Sequence, residues 1–362
     1  MPRFVLIKNL TMKKSGFLLF IFVLCAQFLP AQSIPQGKIA TKYIVAKTLE
    51  NKAGEDSKRR ISIYLPPDYE NSSKKYPVIY YLHGFFWSDS LLIANDKINR
   101  IFDRAIYLKK IKPVIVVMAD QSTVFKGSFY ANSQSSGNWS DFTSVELVNF
   151  IDKNFRTISN KQSRGISGHS MGGNGALRNA ILHPEVFSSV YALSPGILDA
   201  QYFALTNIDL YKNIENIKDV KDLSKPENAS ANIVFAIARA YSGNASKPPF
   251  YADLPFSFKD NQLTVNGSVA DDLKRNSTSE LLFSHYENLK KLKAIKFDWG
   301  RNDELKHIPP TCLSFSKTLE MLNIKHEAEE YIGTHGSEVS KENGRIENQM
   351  LPYFNDHLKF EE

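Results

Sequence analysis

Apolar and polar residues alternate along the chain in segments that predict strands and helices in turn. Residues 59–65 alternate polar and apolar side chains before Pro66 and Pro67, which predicts a strand with one exposed face. Residues 77–82 and 114–118 are short and almost wholly apolar, as is typical of parallel strands that are buried on both faces. Later short strands are predicted at residues 164–167, 189–193, 294–298 and 326–332.

The segments between these strands have apolar residues at helical spacing. Residues 91–110 predict one helix, and residues 142–155 predict an amphipathic helix. The apolar side of that second helix is expected to consist of Val145, Leu147, Val148 and Ile151. Further helices are predicted at residues 173–182, 310–322 and 342–358. Strands that alternate with helices form right-handed crossovers, so the predicted fold class is α/β, with a mostly parallel central sheet flanked by helices.

One long segment breaks this alternation. Residues 197–290 contain mixed helical patterns and a Pro-rich stretch at residues 247–251. We interpret them as an insertion before the penultimate core strand, resting over the C-terminal edge of the sheet. No linker separates the remaining segments, so residues 32–362 are predicted to form a single domain.

The N-terminal residues resemble a secretory signal peptide. Lys13 and Lys14 precede an apolar run at residues 17–29, and Ala31 follows it as a small residue before a polar segment. The run is shorter than the ~20 residues that span a bilayer. We expect residues 1–31 to be removed, with Met12 as a possible true start and an uncleaved anchor as the alternative. The mature protein is therefore predicted to be secreted or periplasmic, without a stable membrane anchor.

Composition and charge exclude several classes of function. The 362 residues are 43% hydrophobic with a formal net charge of +7, and four of the basic residues lie in the predicted leader. The weak remaining charge, without a basic patch, argues against nucleic-acid binding. Cys25 lies in the leader, so Cys312 has no disulfide partner after cleavage and is expected to be buried. Neither a nucleotide-binding motif nor a metal-binding motif is present, so we predict no cofactor and no metal.

The most specific chemical signal is a serine between glycines. Residues 168–172 read Gly-His-Ser-Met-Gly and fit the pattern G-x-S-x-G, between a predicted strand and a Gly-rich helix. A serine at such a sharp strand-to-helix turn has strained backbone angles and an exposed hydroxyl. Ser170 is therefore the predicted nucleophile.

A serine hydroxyl needs a general base, and in folds of this kind an acid and a histidine follow the serine in chain order. Asp303 and His335 each lie in a loop after a late predicted strand. Ser170, Asp303 and His335 are the predicted catalytic triad. Asp298, at the end of its strand, is the alternative acid. The other histidines considered are His169, His183, His307 and His326, and none lies in a glycine-flanked loop at the expected place.

Two backbone N–H groups must stabilise the oxyanion that forms during acyl transfer. One is expected from the residue after the nucleophile, Met171, and the other from the loop after the early strand, at Phe85. Aromatic residues cluster in the same loops and could form an acyl, aryl or sugar pocket. The predicted substrate-binding residues are Phe86, Trp87, Phe129 and Tyr130.

With these residues identified, the chain resembles the esterase D-like branch of the α/β-hydrolases. That branch includes S-formylglutathione hydrolases, feruloyl and acetylxylan esterases of carbohydrate esterase family 1, enterochelin esterases and mycolyltransferases. The matching stretches are residues 64–69, 82–84, 127–130, 139–142, 168–173, 183–187, 300–303 and 333–335. The resemblance implies an α/β-hydrolase fold over about residues 58–358 and an acid at Asp303, and it leaves the substrate open.

The resemblance and the predicted export together imply a secreted serine carboxylic-ester hydrolase that acts through an acyl-enzyme. Carbohydrate or phenolic esters are the expected substrates, either as small molecules or linked to a polysaccharide. An acyltransferase of the mycolyltransferase-like kind is one alternative. A non-catalytic hydrolase fold that binds carbohydrate is another, and the correctly ordered Ser, Asp and His argue against it.

Overall fold

The structure is a computed structural model, and it describes residues 33–200, 208–260 and 262–361. The chain divides into a short N-terminal unit, Met1–Pro35, and a second unit, Gln36–Glu362. The predicted signal peptide, residues 1–31, lies outside the described residues. The architecture below is that of the second unit.

An eight-stranded sheet forms the centre of this unit. Its strands in chain order are β1 (Lys38–Val45), β2 (Lys58–Leu65), β3 (Val78–Leu82), β4 (Ile115–Ala119), β7 (Arg164–His169), β8 (Ser189–Leu193), β11 (Ala294–Gly300) and β12 (Glu327–Tyr331). Two small two-stranded sheets are formed by β5 (Asn132–Ser133) with β6 (Gly137–Asn138) and by β9 (Phe256–Lys259) with β10 (Gln262–Val265). The spatial order of the large sheet is β1-β2-β4-β3-β7-β8-β11-β12. Only β2 runs antiparallel to its two neighbours, so the predicted mostly parallel sheet is confirmed.

Helices connect the strands and cover the sheet. The first five are α1 (Asp89–Ala94), α2 (Ile98–Tyr107), α3 (Trp139–Asp141), α4 (Leu147–Asn154) and α5 (Met171–Leu182), with a π-helical turn at Phe142–Glu146 between α3 and α4. Later helices are Ile208–Ile214, Ala229–Tyr241, Gly267–Asn276, Thr278–Ser284, Tyr286–Leu289, Ile308–Met321 and Leu351–His357, the last preceded by a π-helical turn at Ile346–Met350.

Burial on both faces explains why the central strands read as continuous apolar runs. In β3, Val78 and Tyr80 pack into the core on one side of the sheet, while Ile79 and Tyr81 pack into the core on the other. Each such large apolar side chain contributes about 1.5–3 kcal/mol when it is removed from water. Because β3 is central, the loop that follows it lies beside the loop that follows its neighbour β7.

Three details differ from the sequence-based predictions. The single helix predicted at residues 91–110 is divided into α1 and α2, because Lys97 adopts a left-handed conformation with φ 50°. Val145 was predicted on the apolar side of its helix but is 46% exposed, because residues two positions apart, such as Val145 and Leu147, point to nearly opposite sides of a helix. Strand β1 was not predicted, because its exposed edge position leaves many polar residues in its sequence.

The segment predicted as an insertion lies between β8 and β11. It contains the helices from Ile208 to Leu289 and the β9–β10 hairpin. The helices Thr278–Ser284 and Tyr286–Leu289 contact α5, which is the helix that follows the candidate nucleophile. The interpretation of residues 197–290 as an insertion over the edge of a single domain stays a prediction.

Candidate active site

Ser170 lies at the sharp turn between β7 and α5. Its backbone angles, φ 59° and ψ −119°, fall in a region that non-glycine residues rarely adopt. The turn is held by its N–H, which donates to the carbonyl of Leu193 at 2.9 Å. A Cβ atom added to Gly172 would lie 2.0 Å from the carbonyl oxygen of Leu82, so a side chain there would displace the turn. The motif therefore needs glycine at position 172 because β3 and α5 pack closely against each other there.

The structure brings Ser170, His335 and Asp303 into one chain of hydrogen bonds. His335 Nε2 lies 2.9 Å from Ser170 Oγ, and His335 Nδ1 lies 2.8 Å from Asp303 Oδ2. The carboxylate of Asp303 is buried, and its Oδ1 accepts the N–H of Leu305 at 2.8 Å. These distances are within reach of proton transfer from the hydroxyl to the imidazole. The arrangement can activate a serine nucleophile.

Asp298, the alternative acid, is bound elsewhere. Its Oδ2 accepts hydrogen bonds from the hydroxyl of Tyr191 at 2.6 Å and from Nε of Arg345 at 2.9 Å. Burial raises the pKa of this carboxyl, and the nearby Arg345 guanidinium partly offsets that effect. Asp303, not Asp298, is therefore the carboxylate that contacts His335.

Backbone contacts position the loop that carries His335. The N–H of His335 donates to Oε2 of Glu304 at 2.8 Å, and this hydrogen bond lowers the pKa of Glu304. A Cβ atom added to Gly300 would lie 2.6 Å from the carbonyl oxygens of Gly333 and Thr334. The loops after β11 and β12 are therefore in direct contact. Glu304 was not predicted from the sequence, and its position directly after Asp303 was the available signal.

Two other histidines lie close to this chain of hydrogen bonds. Nε2 of His169 donates to the carbonyl of His335 at 2.8 Å, and the two ring centroids are 4.7 Å apart. Burial, together with the charge of the neighbouring His335, lowers the pKa of His169 to about 3. His307 accepts the N–H of Ile197 at 3.4 Å, and burial lowers its pKa to about 4. No feature of the sequence indicated that His169 contacts the His335 loop.

Two of the other histidines, His183 and His326, make contacts away from Ser170. His183 Nε2 lies 3.1 Å from the hydroxyl of Ser140, and His326 Nε2 lies 2.8 Å from the hydroxyl of Ser316. Cys312 is buried as expected, and burial raises the pKa of its thiol well above the usual value.

The two predicted oxyanion donors belong to the loop after β3 and to the residue that follows Ser170. A Cβ atom added to Gly84 would lie 3.6 Å from Cβ of Ser170, so the loop after β3 runs beside the nucleophile. Among the described residues, neither the N–H of Phe85 nor that of Met171 has a hydrogen-bond partner, whereas the N–H of Phe86 donates to the carbonyl of Lys126 at 3.2 Å. Met171 is also the first residue of α5, where N–H groups favour negative charge. Both donors stay predictions.

A cleft of about 350 Å³ opens next to Ser170 and His335. It is lined by Tyr81, Gly84, Phe85, Trp87, Leu92, Asp96, His169, Ser170, His335, Gly336, Val339 and Ser340. Of the predicted substrate-binding residues, Trp87 lines this cleft. Phe86 is 43% exposed and packs edge-on against Phe85, with ring centroids 4.6 Å apart.

Phe129 and Tyr130 do not line the cleft. They are only 1% and 0% exposed. Phe129 packs against Phe85, and the Tyr130 hydroxyl donates to the carbonyl of His83 at 2.7 Å. The prediction that they contact substrate is therefore corrected: both side chains support the loop after β3 from the core.

The described part of the chain has neither a cluster of metal-binding side chains nor a helix that could span a membrane. Within residues 33–200, 208–260 and 262–361, no three His, Cys, Asp or Glu side chains come together in a way that could hold a metal ion. Over the same ranges, every helix is too short or too polar to cross a bilayer.

Comparisons with known proteins give the family context of this site. The family model described as "Putative esterase" matches residues 54–270, which is more than half of the chain. The match includes Ser170 and ends before Asp303 and His335. An esterase of Mycobacterium tuberculosis (strain H37Rv) is 34% identical over 136 residues, or 36% of this chain. The endo-1,4-beta-xylanase/feruloyl esterase of Xylanibacter ruminicola is 34% identical over 142 residues, or 37% of this chain. These matches cover only 27% and 19% of the relatives' own lengths.

Solved structures of similar shape cover most of the chain. A ferulic acid esterase superposes with a TM-score of 0.61 at 20% identity, covering 89% of this chain and 100% of that one. An S-formylglutathione hydrolase of Staphylococcus aureus superposes with a TM-score of 0.56 at 17% identity. That superposition covers 88% of this chain and 99% of the hydrolase chain. At such identities the likeness concerns the fold, and the fold is the α/β-hydrolase fold that the sequence predicted.

Proposed function

Since the chain belongs to the Esterase family, we propose that it is a serine carboxylic-ester hydrolase with Ser170, His335 and Asp303 as its catalytic triad. The observation that carries this proposal is the continuous path of two hydrogen bonds, 2.8 Å and 2.9 Å long, from Asp303 through His335 to Ser170. The strained turn at Ser170 supports it, because such strain persists where function requires it.

The first half of the reaction forms an acyl-enzyme. His335 Nε2 takes the proton of Ser170 as Oγ attacks the ester carbonyl carbon, and Asp303 accepts Nδ1–H and stabilises the imidazolium. The N–H groups of Phe85 and Met171 bind the oxyanion of the tetrahedral intermediate. As the carbon–oxygen bond breaks, the imidazolium returns its proton to the leaving alkoxide, and the alcohol departs.

The second half releases the acid. A water molecule loses a proton to His335 Nε2 and attacks the acyl carbonyl carbon, forming a second tetrahedral intermediate. That intermediate collapses when the protonated His335 gives its proton to Oγ of Ser170. The serine is restored and the carboxylic acid leaves.

The cleft favours an uncharged ester. Among the described residues that line it, none is Lys or Arg, and Asp96 is the only carboxylate. A substrate with carboxylates near the scissile bond would be repelled, which argues against a glutathione thioester. The feruloyl esterase named among the relatives supports a phenolic ester. We therefore propose phenolic or carbohydrate esters, free or linked to a polysaccharide.

We also propose that the enzyme acts outside the cytoplasm. The proposal rests on the basic and apolar pattern of residues 1–31. N-terminal sequencing of the protein recovered from the periplasm or medium should start near residue 32. Recovery of an intact N-terminus in the cytoplasmic fraction would contradict export.

The catalytic proposal is tested by Ser170→Ala in the purified protein, assayed with p-nitrophenyl acetate, p-nitrophenyl butyrate and methyl ferulate. Wild type should hydrolyse at least one ester, and the variant should lose at least ~10³-fold in kcat. Equal rates for the two proteins would rule out Ser170 as nucleophile. Product partitioning toward an added alcohol would instead indicate an acyltransferase.

The acid is tested by the matched pair Asp303→Asn and Asp298→Asn. Asp303→Asn should lower kcat by roughly 10³-fold or more, because the amide holds the wrong tautomer of His335. Asp298→Asn should keep most of kcat and lower stability by about 1–3 kcal/mol, since it weakens a buried contact with Arg345. The reverse pattern would make Asp298 the acid.

A further inference from the structure

The division of the helix between α1 and α2 places a carboxylate at the candidate active site. Asp96 lies in the connection between these two helices, where Lys97 turns the chain through a left-handed conformation. It lines the same cleft as Ser170 and His335. In the continuous helix that the sequence predicted, residue 96 would have been one more position on a helical surface. The catalytic mechanism above gives Asp96 no role.

One oxygen of this carboxylate is bound and the other is available. Oδ2 of Asp96 accepts the indole N–H of Trp87 at 3.1 Å. Oδ1 has no hydrogen-bond partner among the described residues. Partial burial raises the pKa of Asp96, and the hydrogen bond from Trp87 offsets this only in part. A carboxylate that is partly removed from water, without a cation beside it in the cleft, gains from an added hydrogen-bond donor.

A second polar group on the cleft wall is unpaired among the described residues. Tyr81 lines the cleft and is only 1% exposed, and its hydroxyl forms no hydrogen bond with any residue that the structure describes. A buried hydroxyl that is left unpaired destabilises the fold, so such groups normally have a hydrogen-bond partner. Burial and the negative charges of Asp96 and Asp298 raise the pKa of Tyr81, which therefore stays protonated. Its hydroxyl can donate to a ligand oxygen and accept from a ligand hydroxyl.

We infer that Asp96, oriented by Trp87, and Tyr81 form a subsite that recognises a hydroxyl group on an uncharged ester substrate. The inference rests on the proposed esterase function and adds a substrate class to it. A hydroxyl donates one hydrogen bond to Oδ1 of Asp96 and can accept one from Tyr81, whereas a methyl or methoxy group in the same place cannot donate. A site built to pair a hydroxyl discriminates strongly against analogues that lack it.

The hydroxyl can belong to the acyl part or to the alcohol part of the ester, and two substrate pairs separate these cases. Methyl 4-hydroxycinnamate and methyl cinnamate differ only in a phenolic hydroxyl on the acyl side. 2-Hydroxyethyl butyrate and propyl butyrate differ by a hydroxyl in place of a methyl group on the alcohol side. For one of the two pairs, wild-type kcat/KM should favour the hydroxylated member by about 10-fold or more.

The residues are tested by the ratio of kcat/KM within that pair. Asp96→Leu keeps a similar volume and removes the acceptor, so the ratio should fall by about 10-fold. Asp96→Asn keeps an acceptor without the charge, and its ratio should lie between those of wild type and Asp96→Leu. Tyr81→Phe removes only the unpartnered hydroxyl, so it should fold normally and still lower the ratio. Asp271→Leu, on an exposed helix surface, is the matched control and should keep the wild-type ratio.

The outcomes separate the two proposals. If wild type hydrolyses these esters and neither pair shows a hydroxyl preference, the subsite is wrong and the esterase stands. The subsite is equally wrong if a preference exists and survives both Asp96→Leu and Tyr81→Phe. If wild type hydrolyses none of these esters and none of the p-nitrophenyl esters, the proposed function fails first and the subsite fails with it. Should Asp96→Leu lose its near-UV circular dichroism, Tyr81→Phe and Asp96→Asn decide the question.

Discussion

At the scale of single residues, two imidazole rings lie side by side at the end of β7, and their hydrogen bonds give them different chemistry. His335 lies between a serine hydroxyl and the carboxylate of Asp303, as a proton acceptor must. His169 donates to the carbonyl of His335. With its pKa lowered to about 3, His169 stays neutral near pH 7. It can therefore hold the His335 loop without repelling the imidazolium that the proposed mechanism forms.

This neutrality predicts a pH dependence of stability. A histidine in the unfolded chain takes up a proton below about pH 6.5, whereas folded His169 does not until about pH 3. The unfolded state thus binds more protons in this window, so stability is present above pH 6.5 and falls as the pH drops toward 3. His169→Gln keeps an N–H donor and removes the titration. From about pH 6.5 to 5, the free energy of unfolding of this variant should fall less steeply than that of wild type. The two slopes should differ by up to about 1.4 kcal/mol per pH unit.

Urea unfolding of both proteins at pH 7, 6 and 5 measures the two slopes. Parallel curves for wild type and His169→Gln would contradict a His169 that stays neutral in the folded protein.

At the scale of secondary-structure elements, the candidate site depends on loops that follow parallel strands. The carboxyl ends of β3, β7, β11 and β12 lie at the same edge of the sheet, so four separate loops meet there. The loop after β11 carries Asp303, and the loop after β12 carries His335. Gly300 lies where these two loops touch, and the contact leaves no room for a side chain.

Gly300→Ala should therefore separate the acid from the base. Its Cβ would lie 2.6 Å from two carbonyl oxygens of the β12 loop, so backbone must move. Since a 1 Å misplacement of catalytic groups can cost about 10²-fold, we expect kcat to fall by that order. Stability should fall by about 1–3 kcal/mol.

A matched glycine substitution serves as the control for this effect. Gly267 begins the helix Gly267–Asn276, and an added Cβ would meet nothing within 4 Å. Gly267→Ala should keep the wild-type kcat and stability, or gain up to about 1 kcal/mol. Full activity of Gly300→Ala in the same ester assay would show that the two loops do not need this contact.

At the scale of the whole molecule, a buried ion pair joins the segment between β8 and β11 to the segment before β2. Nη1 of Arg239 lies 2.6 Å from Oε1 of Glu55, and both side chains are only 2% exposed. Arg239 also donates to the carbonyl of Ala53 at 2.9 Å. Burial raises the pKa of Glu55, and Arg239 opposes that rise. Arg239 and Glu55 are 184 positions apart in the chain, and each thus neutralises the buried charge of the other.

Arg239→Met should lower the free energy of unfolding by about 3 kcal/mol. The buried Glu55 carboxylate would keep the N–H of Val124 at 3.1 Å, but among the described residues only the more distant Arg59, at 3.8 Å, would offset its charge. Adding Glu55→Gln should cost less than the two single changes summed, by at least about 1 kcal/mol. Denaturant unfolding measures all three variants. Lys290→Met, which breaks an exposed pair with Glu287, is the control and should show no measurable change. Additive effects at Arg239 and Glu55 would contradict the coupling.

Much of the sheet was predictable because its signals are local. The apolar runs that became β3, β4 and β8 are buried on both faces, and burial of that kind requires consecutive apolar residues. The turn at Ser170 was predictable for a similar reason, since a sharp strand-to-helix turn needs glycines within two residues of the serine. By contrast, β1 is an exposed edge strand that pairs on one side only, so its sequence carries little pattern.

The sequence by itself determined the α/β class, the elbow at Ser170 and the chain order of serine, acid and histidine, because backbone strain and apolar periodicity act between neighbours in the chain. Only the tertiary structure decided that Asp303 rather than Asp298 contacts His335, that Phe129 and Tyr130 are buried, and that Asp96 lies in the cleft. Those outcomes depend on which loops meet in space. Hydrogen bonding and desolvation act over a few ångströms between residues that are far apart in sequence, and no local pattern encodes those distances.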